Sequence, residues 1–475
     1  MVIAGRRREL DAMEMLLERA GAGLGGVLVL AGPAGSGRTA LVEAAATRAR
    51  HRGFQVLRVA TAGGGPGRWA WARLLRDAGA PDELVARMLA EPGPLDLDAA
   101  AVALCAGPPR LVLLDDVERG GAETTELLAI LAGRAAAGQV AVVATSCVPL
   151  GVGPELWLGA LSPEEIGAAT GEDRPDVRHA LWTASRGLPG PARSMAVALA
   201  ALPPDADPVV QLALRAESAE GFLAVDNGLV VLAETALQRA ADDQTRARLL
   251  ARLAYWLLGD ASAAGRRRAL VHDAVALARR SLDPAVLAEV LDARLHALWD
   301  PEGASDRHAT AAEIIELARA SADLARERRG LFWRFVALME LGRVAEAETA
   351  LAAFEREARS AGDAQALVMA IARHAMLATL RGRFGDAHAL IEQVSLEGRK
   401  VGLADTEALV GTMRGTIAGL RGDSTISHAD VQELRRASRQ TPGHLHEATT
   451  AWVLLASGDA AQAALELERA LPLVL

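Results

Sequence analysis

Gly32-Pro33-Ala34-Gly35-Ser36-Gly37-Arg38-Thr39 follows an apolar run, Val27 to Ala31, and leads into a helix-like segment that starts at Ala40. Strand, glycine-rich turn and helix in that order are the setting a phosphate-binding loop requires. Glycines let successive backbone N–H groups curl around an anion, and the helix N-terminus adds partial positive charge. The expected contacts to ATP or ADP are therefore Gly32, Pro33, Ala34, Gly35, Ser36, Gly37, Arg38, Thr39 and Ala40, with the Thr39 hydroxyl placed to reach Mg²⁺. Arg38 stands where the pattern G-x-x-x-x-G-K-[ST] has lysine. Arginine keeps the charge but exchanges a compact ammonium for a planar fork, which bears on hydrolysis more than on binding.

A second group of candidates closes the run Leu111-Val112-Leu113-Leu114-Asp115-Asp116. Four apolar residues followed by two acids place carboxylates at the C-terminal end of a buried strand, where open α/β sheets bind ligands. Asp115 is expected to hold Mg²⁺ through water, and Asp116 or Glu118 to orient an attacking water. Thr145, just past another apolar run, has two equal readings: a sensor of the terminal phosphate, or a strand-end threonine with its hydrogen bonds satisfied.

The elements that must position these residues are legible as short apolar runs alternating with helical segments. Val27–Ala31, Phe54–Val59, Leu111–Asp116, Val140–Ala144 and Leu156–Leu158 predict five strands. Continuous apolar strands separated by helices imply a parallel sheet covered on both faces. Gly21-Ala22-Gly23-Leu24-Gly25-Gly26 matches G-x-G-x-x-G but precedes the first strand, so it reads as a connector rather than a dinucleotide fingerprint. Gly63 to Gly67 reads as a loop before helical segments around Trp69 to Leu89. A chain of 475 residues exceeds one ordinary core, and 51% hydrophobic with 23% charged residues is a globular balance. The net charge of −9 argues against broad nucleic-acid binding. Cys105 and Cys147 form no disulfide framework, and no signal-peptide or membrane-span pattern appears, so a cytoplasmic location without membrane contact is expected.

Beyond Leu202-Pro203-Pro204 the chain turns helical and repetitive. Leu341-Gly342-Arg343 returns as Arg381-Gly382-Arg383, Arg421-Gly422-Asp423 and Ser457-Gly458-Asp459, and Leu258-Gly259-Asp260 reads as the start of an earlier unit. The set Val344, Ala347, Leu351 and Phe354 comes back 40 residues on as Phe384, Ala387, Ile391 and Val394. That spacing is one helix face, and its return at a fixed period predicts a solenoid of helix pairs. His444, His446 and Glu447 read as a solvated helix start rather than a metal site, and Arg266-Arg267-Arg268 as an exposed face. The expected division is residues 1–160 for an α/β P-loop NTPase core, 161–207 for a reduced winged-helix-like helical subdomain and linker, and 208–475 for an all-α, TPR-like superhelical array.

Gly5-Arg6-x-x-Glu9-Leu10, the P-loop, Asp115-Asp116, Leu161-Ser162-Pro163-Glu164-Glu165 and Ser185-Arg186-Gly187-Leu188-Pro189 together resemble the ATPase module of the STAND branch of AAA+-like proteins. Within that branch the pattern is most similar to large ATP-binding LuxR-type regulators. The resemblance implies that Arg6 joins the nucleotide contacts. It also implies a regulatory protein in which nucleotide state is coupled to a helical arm that receives a protein partner or a small inducer, with nucleotide-dependent self-association. Several family features are changed: lysine is Arg38, the usual His-Trp after the acids is Glu118-Arg119, and Thr145-Ser146-Cys147-Val148 lacks an arginine. Slow ATP hydrolysis is therefore expected. The alternative is an inactive nucleotide-binding scaffold that uses its repeats for protein–protein contacts, and a metabolic P-loop kinase is disfavoured because no acceptor site is legible. Such regulators carry a helix-turn-helix after the arm, whereas here the last repeat runs into Leu471-Pro472-Leu473-Val474-Leu475. The chain thus reads as cut within its array, or as packing its end against another protein, and no specific DNA binding is expected from it alone.

Overall fold

The structure is a computed structural model that describes residues 3–60, 67–90, 93–218, 225–298, 303–403, 406–422, 450–452, 454–455 and 458–474. The glycine loop at 63–66, Asp423, Ser457, the His444–Glu447 group and Leu475 lie outside the described residues. The chain divides into two compact units, Met1–Pro208 and Val209–Leu475.

The first unit runs α1 (Arg7–Gly21), β1 (Gly26–Ala31), α2 (Arg38–His51), β2 (Gln55–Ala60), α3 (Gly67–Asp77), α4 (Asp82–Leu89) and α5 (Pro94–Cys105). It continues with β3 (Arg110–Asp115), α6 (Gly121–Ala135), β4 (Val140–Ser146), β5 (Glu155–Trp157), α7 (Pro163–Thr170), α8 (Pro175–Ser185) and α9 (Pro189–Ala200). The five strands form a parallel sheet in the order β2-β3-β4-β1-β5. Alternation decides which helices each strand residue meets, because successive side chains leave a strand on opposite faces. Val27, Val29, Val112, Leu114, Val140 and Val142 enter one apolar cluster with α3 to α6. Leu28, Leu30, Leu111, Leu113, Ala141 and Val143 enter another with α1 and α2. Both faces are covered, which is why the strands read as unbroken apolar runs.

The register sets the C-terminal edge. Leu30 pairs with Thr145, Leu114 with Ala144 and Ala60 with Asp115, so the loop after β1 and the ends of β3 and β4 meet at one rim. Gly25 enables the entry to β1, since a Cβ there would lie 2.1 Å from the Val140 carbonyl oxygen.

The second unit is helical: α10 (Pro208–Arg215), α11 (Asn227–Arg239), α12 (Asp243–Trp256), α13 (Ala264–Arg280), α14 (Pro284–Ala297) and α15 (Ala304–Ala320) come first. They are followed by α16 (Leu324–Glu340), α17 (Val344–Ser360), α18 (Ala364–Leu380), α19 (Phe384–Lys400), α20 (Thr406–Arg421) and α21 (Ala460–Val474). Apolar clusters run from helix to neighbouring helix, one over α12 to α16, the next over α15 to α18 and a third over α18 to α20. Ala347, Leu351, Phe354, Ala387, Ile391 and Val394 are buried as the repeat predicts, whereas Val344, in the first turn of α17, stays 37% exposed.

The repeat has a finer period than the glycine motifs reveal. Left-handed residues close consecutive helices at Gly342, Gly362, Gly382, Gly402 and Gly422, each 20 positions after the last. Leu282 and Ala322 hold the same register with φ of 57° and 55°. Behind the turns at Ala322, Gly342, Gly362, Gly382 and Gly402 the next N–H reaches back to a carbonyl five residues earlier, as in Asp323 N to Ala318 O at 2.9 Å and Arg343 N to Leu338 O at 2.9 Å. Asp283, Asp323 and Asp363 then cap alternate helices. A side chain with Cβ in the left-handed region costs about 1–2 kcal/mol, partly offset by the greater freedom of glycine in the unfolded chain. Ala322→Gly is therefore expected to stabilise the helical unit by about 1 kcal/mol in urea unfolding, and a loss of stability would contradict the role assigned to this turn.

Among the described residues no helix is long and apolar enough to cross a membrane.

Candidate nucleotide-binding site

The loop between β1 and α2 takes the conformation its glycines permit. Gly35 and Gly37 have φ of 81° and 97°, and Gly37 ends the loop directly before α2. Thr39 is exposed in the first turn of the helix, while Ser36 is fully buried with its Oγ enclosed and without a hydrogen-bond partner among the described residues.

Arg6 lies at one side of this loop and does not point outward. Its guanidinium donates to the Ser36 carbonyl at 3.0 Å and the Gly159 carbonyl at 2.7 Å, with Glu9 at 3.5 Å. Burial pushes Arg6 below its ordinary pKa, against the pull of Glu9 and Glu165. In this structure Arg6 therefore fastens the main chain of the loop.

The Leu161–Glu165 and Ser185–Pro189 segments gain a physical account here. Ser162 and Glu165 form a reciprocal cap on α7, Ser162 N donating to Glu165 Oε2 at 2.8 Å and Glu165 N to Ser162 Oγ at 3.2 Å. Gly5 packs against that cap so closely that a Cβ would lie 2.6 Å from Glu165 Cδ. The start of α9 closes on the phosphate loop: Gly190 N donates to the Gly35 carbonyl at 2.9 Å, and a Cβ on Gly35 would lie 2.7 Å from Pro191 Cδ.

The acids gather at the rim as the sheet register requires. Asp116 has a left-handed backbone, φ 55°, and its N–H donates to Thr145 Oγ1 at 3.0 Å, while that hydroxyl donates to Asp115 Oδ1 at 2.5 Å. Thr145 is fully buried, so its hydroxyl is engaged in joining the two acids. Arg38 Nη2 lies 3.2 Å from Asp116 Oδ1, and Arg38 Nη1 is enclosed with no hydrogen-bond partner among the described residues. Arg58, which sequence reasoning passed over, pairs with Glu43 and stands 3.8 Å from Asp115 Oδ2. Glu118 sits in the short helical turn after β3. Burial pushes its carboxyl up, but hydrogen bonds from the Cys147 thiol, Ser146 and main-chain groups outweigh this and hold it below the usual range. The same contact with Glu118 pushes the Cys147 thiol up and keeps it protonated.

Residues 2–143 match the family of the AAA ATPase domain. No curated protein matches the sequence. Among solved structures, one similar chain is a Signal Transduction ATPase with Numerous Domains, with a tetratricopeptide repeat sensor, from Pyrococcus horikoshii. It is 14% identical with a TM-score of 0.32, over 100% of this chain and 96% of that chain. Another is Drosophila ORC bound to DNA, 14% identical with a TM-score of 0.34, over 59% of this chain and 75% of that chain.

The loop between β1 and α2 has groups that fit a phosphate. The enclosed Arg38 Nη1 and Ser36 Oγ are donors without acceptors, beside glycines whose φ values leave the backbone free to turn its N–H groups inward. The exposed Thr39 hydroxyl and the Asp115 carboxylate are oxygen donors of the kind a divalent cation takes, and Arg58 already neutralises part of the charge on Asp115.

Proposed function

We propose that this chain is an ATP-binding regulatory protein of the STAND type, with the loop 32–39 as its nucleotide site and the helical unit as its receiving arm. The observation that carries the reading is Arg38, held at the rim by Asp116 with a second nitrogen enclosed and lacking an acceptor. Arg38, Ser36 and the main chain of Gly35 to Gly37 would hold the phosphates. Thr39 and Asp115 would hold Mg²⁺, whose chemistry there is to neutralise charge between the terminal phosphates. Asp116 and Glu118 are the acids available to position water, and Thr145 keeps Asp115 and Asp116 in place. Arg6 acts on the loop rather than on the ligand.

Hydrolysis should be slow. In this structure the Asp116 carboxylate is tied to Arg38, so the two groups assigned to water and phosphate hold each other. No arginine follows β4 closely, and such a residue supplied by a second molecule raises rates by roughly 10³–10⁵ in other phosphoryl-transfer systems. Phosphate release by the full chain should therefore be slow at low concentration, and turnover per molecule should climb with protein concentration through nucleotide-dependent self-association. Fast turnover by a strict monomer would contradict this. The Arg38–Asp116 pair also favours a second reading, a nucleotide-binding scaffold without catalysis, which predicts binding with no phosphate release at any concentration.

In this reading the helical unit receives a protein or a small inducer, the protein works in the cytoplasm without membrane contact, and this chain alone binds no specific DNA sequence. A titration with random and genomic duplexes at about 0.1 M salt, with and without ATP, tests the last point.

A further inference from the structure

The helical unit contains a cavity of about 800 Å³, within the size range of small-molecule sites. Its walls come from α12, α14, α16 and α18, alternate helices of the array. The apolar lining includes the rings of Tyr255, His296, Phe332 and Trp333 and the thioethers of Met369 and Met376. The rings form a connected series: His296 stands edge-on to Tyr255 at 5.0 Å and to Trp333 at 4.8 Å, and Trp333 is 6.2 Å from Phe332. Aromatic rings are rigid walls, and methionines adapt to irregular shapes.

The charges are unevenly compensated. Asp292 pairs with Arg329, and Glu340 pairs with Arg307. His296 donates from Nδ1 to the Asp292 carbonyl at 3.1 Å, and burial pushes its imidazole down, so it remains neutral. Arg373 has no acidic partner among the described residues. Its guanidinium lies 5.2 Å from the centre of the Phe332 ring, and its Nε is enclosed with no hydrogen-bond acceptor. Burial pushes Arg373 below its ordinary value with no carboxylate to oppose it. A desolvated guanidinium without a counter-ion is unfavourable, and its planar fork suits a carboxylate or sulfonate with two oxygens facing it.

We propose that this cavity binds a small, largely apolar aromatic molecule carrying one anionic group, which pairs with Arg373 while the rings and methionines enclose its body. This deepens the receiving role proposed for the helical unit, and it is tested without nucleotide, so failure at the P-loop and failure here are separable.

The probe is 8-anilinonaphthalene-1-sulfonate, with N-phenyl-1-naphthylamine as its uncharged counterpart, titrated by fluorescence into the full chain. The expected result is saturable binding of the sulfonate, weakened about tenfold or more by Arg373→Met, with the amine changed less than about twofold, as befits loss of a charge-assisted contact. Arg373→Lys should retain part of the affinity. Equal affinity of wild type and Arg373→Met for the sulfonate would overturn the proposal. If that variant does not fold, competition on the wild-type chain decides the matter: 1-naphthoate should displace the sulfonate and 1-naphthalenemethanol should not, and equal displacement by both overturns the assignment to Arg373.

Discussion

Arg38→Ala should lower the affinity of the full chain for ATP and ADP roughly tenfold to a hundredfold in calorimetry, with little change in the stability of the nucleotide-free protein. The magnitude follows from losing charge-assisted hydrogen bonds to phosphate, each contributing about 1.5–3 kcal/mol. Stability changes little because the lost partner, Asp116, remains about 26% exposed and can be solvated. Asp116→Asn should act in the opposite direction on binding, since an uncharged side chain no longer competes with phosphate for Arg38. Arg38→Lys keeps a cation at the loop and should bind nucleotide. Wild-type affinity in Arg38→Ala would remove Arg38 from the phosphate site and with it the central support for the proposed function.

Trp71→Ala should destabilise the N-terminal unit by about 3–5 kcal/mol in urea unfolding, the range found for large aromatic side chains removed from cores. Trp71 is 1% exposed on α3 and shares its apolar cluster with Leu57, Val59, Val112 and Leu114, so its removal opens a space beneath β2 and β3. Its Nε1 has no acceptor among the described residues, which leaves a buried donor unsatisfied. Trp71→Phe removes that donor along with part of the volume, so it should cost much less than the alanine change. A loss below about 1 kcal/mol for Trp71→Ala would show that this face of the sheet does not depend on the residue.

What the sequence by itself determined is what depends on neighbours in the chain. Val27 to Ala31 and Leu111 to Leu114 must be buried on both sides, and that requirement appears as unbroken apolar runs, so the five parallel strands were legible within a residue or so. Glycines at 35 and 37 permit a backbone that few other residues adopt, which made the loop visible too. The helical array was legible at a period of 40 but not at 20. The intervening turn at Gly402 lies in a different local sequence, Val401-Gly402-Leu403, and Leu282 and Ala322 fill the same left-handed position without glycine.

Only the tertiary structure decided how the candidate side chains pair. Arg38 meets Asp116, 78 positions later in the chain, because β1 and β3 both flank β4, and Arg58 reaches Asp115 because β2 pairs with β3. The resemblance implies a ligand contact for Arg6, and the fold brings the backbone carbonyls of Ser36 and Gly159 within its reach. The cavity draws Tyr255, His296, Trp333 and Arg373 from four different helices, and no single stretch of sequence holds more than a fragment of it. Hydrophobic periodicity sets each element locally, whereas ion pairing and enclosure depend on distances that arise only when those elements pack.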